Sequence, residues 1–211
     1  MTEYRHNRVG RPARGAPARI EHILAVAAQM FLREGYGTVS IEAIAAKGGL
    51  SKATIYRHFS GKPALFAAVL SDLLARHADD AGLAVALSHP PEKGLTGFAN
   101  ISLDLMSSGD GLALFRLVVG ASRRFPEVGA IFYERAMGVM IARLEDYLAR
   151  QHAEGRLHVP EPDLSAFQFL GLYKEALFWP KLVLGARSPV ALNRDRVIAR
   201  AVEIFLGAHA P

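Results

Sequence analysis

Lys52, Ala53, Thr54, Tyr56 and His58 lie within seven residues of one another, in the run Ser51-Lys-Ala-Thr-Ile-Tyr-Arg-His58. Lysine can donate to O6 and N7 of guanine, and alanine and the threonine methyl can touch the thymine methyl. Tyrosine and histidine add further hydrogen-bonding groups to the same outward face. One short helix presenting these groups outward suits contact with the major groove of DNA.

The neighbouring residues supply the frame for such a helix. Ser40 is an N-cap for a helix through Ile41, Ile44 and Ala45, and Ser51 caps the next, which runs to about His58. Gly48 and Gly49 between them can adopt the positive φ that ends a helix. The small Ala45 allows close approach, and Leu50 and Ile55 fill the seam. Two helices across so tight a turn make a helix-turn-helix unit.

The rest of the chain is patterned as helix, with poor strand signals, so an all-α fold is expected. Ile20, Ile23, Leu24, Ala27 and Phe31 form one stripe of a first helix, from about 18 to 34. A connector from about 61 to 80 carries Leu65, Val69 and Leu73 on one face; Gly82 and His89-Pro-Pro91 break the chain after it. Further helices are expected at 92–107, 110–123, 126–153, 163–184 and 191–208. Pro180, inside the fourth of these, implies a kink or stop there.

Charge is divided unevenly over the 211 residues: residues 1–62 carry +6, and residues 63–211 carry −1. That excess suits phosphate binding by the N-terminal third. Cysteine is absent, which excludes disulfides, thiolate metal sites and a cysteine nucleophile. The polar start Met1-Thr-Glu-Tyr-Arg-His-Asn-Arg8 is unlike a signal peptide, and no apolar run is long enough for a membrane span. No Gly-rich phosphate loop, GxSxG elbow, HExxH or calcium loop is present, so neither an enzyme nor a cofactor is expected. His77, Asp79 and Asp80 suit a solvated face better than a metal site, so no metal is expected.

The run Gly49-Leu-Ser-Lys-Ala-Thr-Ile-Tyr-Arg-His-Phe-Ser-Gly-Lys-Pro-Ala-Leu-Phe66 resembles the signature of the TetR/AcrR family of bacterial transcriptional regulators. The likeness reaches back through Gly35-Tyr-Gly-Thr-Val-Ser-Ile41 and the helix Ile20–Arg33. More loosely, Phe115-Arg-Leu-Val-Val-Gly-Ala-Ser-Arg-Arg-Phe-Pro-Glu-Val128 and Ala166-Phe-Gln-Phe-Leu-Gly-Leu172 are similar to the C-terminal domain of AefR- and AcrR-like members.

The resemblance implies a basic arm at 1–16, a three-helix DNA-binding domain at 17–62, a connector at 63–80, and a ligand-binding and dimerisation domain at 81–211. It places Lys52, Ala53 and Thr54, after Ser51, at base edges. It puts Tyr56, His58 and Lys62 on phosphates, with Ser40 adding a backbone contact. Arg11 and Arg14, in Gly10-Arg-Pro-Ala-Arg14, suit a minor-groove arm, and equally a solvated tail. His58 suits a core imidazole as well as a phosphate contact. For the sensor half, Phe98, Leu105, Phe115, Met137, Met140, Phe169, Tyr173 and Trp179 are candidate pocket walls, with Arg116 and Tyr173 as polar groups orienting a ligand. Each wall residue, taken alone, is better explained as plain core, and each polar group as surface or an intersubunit ion pair. The last two helices, through Phe167, Leu170, Leu177, Leu182, Val197, Val202, Ile204 and Phe205, are expected to form a homodimer over a near-palindromic operator in double-stranded DNA. The expected function is a cytoplasmic repressor released by a small hydrophobic effector; the alternative is a ligand-independent architectural or activating dimer.

Overall fold

The computed structural model describes residues 16–77, 80–187 and 191–211. Arg11 and Arg14 lie outside them, as does Asp79. The described chain is helical throughout, with no strand. The reader comprises α1 (Ala16–Glu34), α2 (Ile41–Gly48) and α3 (Lys52–His58), followed by the connector α4 (Lys62–His77). Then come α5 (Asp80–Ala86), α6 (Pro91–Ser107), α7 (Gly109–Ala121) and α8 (Pro126–Phe132). A π-helical turn (Tyr133–Met137) joins α8 to α9 (Gly138–Ala153); α10 (Pro162–Leu177), α11 (Trp179–Leu184) and α12 (Arg194–Ala208) complete the chain.

Three features refine the sequence pattern, one of them the stop expected at Pro180. Residues 80–86 form a short helix, α5, with Gly82 inside it rather than at a break. Burial of Leu83 and Ala86 outweighs the modest helix penalty of one glycine. The expected helix 163–184 is two helices: α10 ends at Leu177, and Pro180 sits in the first turn of α11, where its missing N–H costs no helical bond. The expected helix 126–153 is continuous but widens into the π turn midway.

Two apolar clusters hold the fold. The first joins Ile23, Phe31, Ile44 and Ile55 of the reader and Phe66 of the connector to Leu117, Val118 and Val128 of α7 and α8. The second packs α6, α9, α10 and α12 around Phe98, Leu144, Phe169 and Phe205. Phe115 and Met137 pack against both. Phe115 meets the rings of Phe132 at 5.0 Å and Phe178 at 4.7 Å, both edge-on. Most of the residues expected at a dimer face, including Leu170, Leu177, Leu182, Val202 and Phe205, are instead buried within this second cluster of the same chain.

Candidate nucleic-acid interface and ligand cavity

Two of the three reader helices, α2 and α3, begin on serine caps. Ser40 Oγ accepts from the Ala43 N–H at 3.1 Å, and Ser51 Oγ accepts from the Thr54 N–H at 3.1 Å. Gly49, at φ +63°, ends α2; its own N–H and that of Leu50 return to the carbonyls of Ala46 and Ala45. Ile55 is fully buried, so the opposite side of α3 is forced outward. That side shows Lys52, Ala53, Tyr56 and Arg57 exposed, with Thr54 and His58 partly covered.

Lys52 is ion-paired with Glu42 of α2, and more than half of each side chain is exposed. The hydrogen bond to Glu42 raises the Lys52 pKa, and the same pairing lowers that of Glu42. The ammonium is thus fully charged and held by a partner that water or a DNA acceptor can displace. Thr54 Oγ1 shares a 2.8 Å hydrogen bond with Ser51 Oγ, which fixes its methyl group relative to the helix start. Ser40 and Ser51 therefore act first as caps.

Lys62, expected at a phosphate, bonds the backbone of the reader itself. Its ammonium donates to the Tyr36 carbonyl at 2.8 Å and the Val39 carbonyl at 3.0 Å, and lies 4.3 Å from the Tyr36 ring centroid. It closes the α1–α2 turn from below. Burial lowers its pKa, with Arg124 pushing the same way and Glu127 opposing. Nothing in a linear motif reveals a lysine that bonds backbone carbonyls 23 and 26 residues away.

In the C-terminal half a cavity of about 310 Å³ opens between α4, α6, α7, the π turn, α9 and α10. Four expected wall residues line it: Leu105, Phe115, Met137 and Met140. The others do not. Phe98 and Phe169 are fully buried core, and Trp179 is largely outside, at 40% exposure. Arg116 donates to the Leu182 and Lys181 carbonyls at 2.9 and 3.1 Å, capping α11. Tyr173 is buried behind the wall, its hydroxyl 2.8 Å from Ser102 Oγ, which does face the cavity. Burial raises the Tyr173 pKa far above the phenol range, so this hydroxyl is neutral.

The sequence reading missed Ser71, Leu74 and Ala75 of α4, Arg135 and Ala136 of the π turn, and Lys174 of α10. The first three follow a helix stripe that looks like ordinary connector core. The π turn has no sequence signature. Lys174 was visible as the one cation in the apolar run Phe167–Phe178.

A family model described as the C-terminal domain of AefR-like transcriptional repressors matches residues 93–211, more than half of the chain. A second, for bacterial regulatory proteins of the tetR family, matches residues 23–69. The chain belongs to the TetR family. It is thus a transcriptional regulator with a helix-turn-helix DNA-binding domain, in a family of non-enzymatic DNA-binding proteins, generally repressors. Among solved structures, a TetR-family regulator from Mesorhizobium loti MAFF303099 is similar over 94% of this chain and 100% of its own, at 25% identity and TM-score 0.75. The flavonoid-responsive regulator FrrA is similar over 93% and 99%, at 29% identity and TM-score 0.76. A TetR-family regulator from Pseudomonas syringae pv. tomato str. DC3000 covers 93% and 99%, at 26% identity and TM-score 0.71. No curated protein matches the sequence. Among the described residues, no cluster of potential metal ligands is present and no helix is long and apolar enough to cross a membrane.

Proposed function

We propose that this TetR-family regulator is a dimeric repressor, released from its operator when a small, largely apolar ligand enters the α4–α10 cavity. The observation that carries the reading is the double duty of α4. Its first half, with Leu65, Phe66, Val69 and Leu70, is part of the reader's own core. Its second half, with Ser71, Leu74 and Ala75, is cavity wall. A ligand that fits the cavity in only one position of α4 selects that position, and with it one placement of the reader. The responsiveness of FrrA to a flavonoid supports an organic effector of this size class.

In this reading Lys52, Ala53 and Thr54 meet base edges, and Tyr56, with His58, meets phosphates. A solvent-facing stripe on α10, with Leu164, Phe167 and Leu172 all at least 37% exposed, and Ile204 on α12, gives the dimer its apolar contact. Two readers related by a two-fold axis suit a near-palindromic site, and the place of action is the cytoplasm, where the chromosome is. The test is a titration of the protein against DNA from upstream of its own gene, with an unrelated duplex as control, at two salt concentrations. Selective binding that a cavity-bound ligand weakens supports the proposal. Equal, salt-sensitive binding to both duplexes overturns the operator reading, and selective binding indifferent to every cavity ligand favours the architectural alternative.

A further inference from the structure

Four charged side chains border the cavity: Asp80, Arg135, Arg143 and Lys174. Two of the three cations are engaged. Arg143 Nη1 donates to Asp80 Oδ1 at 2.6 Å, and Arg135 Nη1 donates to Ser71 Oγ at 3.3 Å. Lys174 sits between the buried Tyr173 and the exposed Glu175, with the Phe178 ring centroid 6.0 Å from its ammonium. Among the described residues no hydrogen bond or ion pair satisfies that ammonium. The rest of the wall is apolar apart from Gly111 and the two serines, Ser71 and Ser102.

We propose that the effector of this cavity is an amphipathic anion: an apolar body carrying one acidic group, a carboxylate, that pairs with Lys174. The proposal rests on the effector reading above and narrows its chemistry. The Lys174 ammonium is partly buried and borders the cavity, and a ligand carboxylate is the group that would give it a charge-assisted hydrogen bond. Burial lowers the Lys174 pKa, and the neighbouring Glu175 carboxylate offsets this only in part. The cavity border carries three cations against one carboxylate, so its field also favours an anion. A neutral ligand of the same shape would leave the ammonium unpaired, and a cationic one would add repulsion.

The test uses the full-length protein with N-phenyl-1-naphthylamine, a neutral fluorophore that brightens in apolar cavities. Decanoate and 1-decanol, of equal chain length, are titrated as competitors against wild type, Lys174→Met and Lys174→Arg. Decanoate is expected to displace the fluorophore from wild type at a concentration about tenfold or more below that of decanol, the worth of a charge-assisted hydrogen bond. Lys174→Met should erase or reverse that order with little change in fluorophore affinity, and Lys174→Arg should keep it. Decanol competing as well as decanoate in wild type, a preference surviving in Lys174→Met, or a bound fluorophore that neither competitor displaces would each overturn the proposal and leave the cavity reading standing. A fluorophore that does not bind at all would remove the cavity reading itself, and this proposal with it. Equal melting temperatures of wild type and Lys174→Met establish that the variant is folded.

Discussion

Lys62→Met removes the ammonium of this side chain while keeping its length and apolar stem. Two hydrogen bonds disappear, to the Tyr36 and Val39 carbonyls, together with the contact 4.3 Å above the Tyr36 ring. Charge-assisted bonds contribute roughly 1.5–3 kcal/mol each, and a cation–π contact roughly 0.5–2 kcal/mol. The site is only partly buried, so water replaces some of this, and a loss of about 2–4 kcal/mol is expected. For a chain of this size that corresponds to a fall in Tm of roughly 5–12 °C. DNA binding, measured by fluorescence anisotropy well below the melting range, should keep its salt dependence, because the ammonium faces the α1–α2 turn. A phosphate contact would behave the other way: little change in Tm, and a salt slope shallower by about 0.9 for each phosphate released. An unchanged Tm with a shallower slope would refute the structural role and restore the one that the motif suggests.

Other consequences are as direct. Glu42→Gln frees Lys52 from its ion pair and removes a negative charge beside the groove, so binding to unrelated DNA should tighten and steepen in its salt dependence, read by anisotropy at several salt concentrations. Ser51→Ala removes the cap on α3 and should cost about 1 kcal/mol in urea unfolding, with a loss of sequence preference larger than the loss of stability implies, because Thr54 is freed as well. Tyr36 and Tyr147 have phenol pKa values raised to about 12, chiefly by burial. The folded state therefore holds these protons after the unfolded state has lost them, so stability falls as pH rises from about 10 to 12. Tyr147→Phe, which loses a 3.0 Å hydrogen bond to the His89 carbonyl, should be less stable at neutral pH and show a smaller alkaline decline.

The reader was legible because its constraints are local. Ser40, Gly49 and Ser51 fix helix ends through bonds to residues at most four positions away, and the alternation of Ile55 with exposed neighbours sets the outward face. The cavity was half legible, for a matching reason. Leu105, Phe115, Met137 and Met140 share the apolar character of Phe98 and Phe169, and only the three-dimensional arrangement decides which of them meets empty space. The π turn rotates Arg135, Ala136 and Met137 toward that space, a shift of register that no hydrophobic period records. Lys62 shows the converse: a motif position whose partners, Tyr36 and Val39, are set by tertiary packing and not by spacing.

A second set of contacts, besides those of α4, links the cavity wall to the reader. Phe132, in the cavity wall, is the last residue of α8, and Phe125 caps the other end of that two-turn helix. The Phe125 ring meets the Tyr36 ring at 5.2 Å and lies 5.4 Å from the Lys62 ammonium, while the Tyr36 hydroxyl donates to Glu127 at 3.4 Å. α8 runs on into the π turn and α9, and a ligand that shifts Phe132 is expected to press Phe125 against the α1–α2 turn. Phe125→Leu keeps an apolar cap but removes the ring contacts. Its ligand affinity without DNA and its DNA affinity without ligand should each stay within about threefold of wild type, whereas ligand-induced weakening of DNA binding should shrink by several-fold, out of a coupling of roughly 1–3 kcal/mol. The measurement is a thermodynamic cycle of anisotropy titrations, with and without saturating decanoate. Full coupling retained in Phe125→Leu would assign the whole signal to α4, since a path that carries coupling free energy cannot lose its central contact without reducing the ratio of DNA affinities without and with ligand.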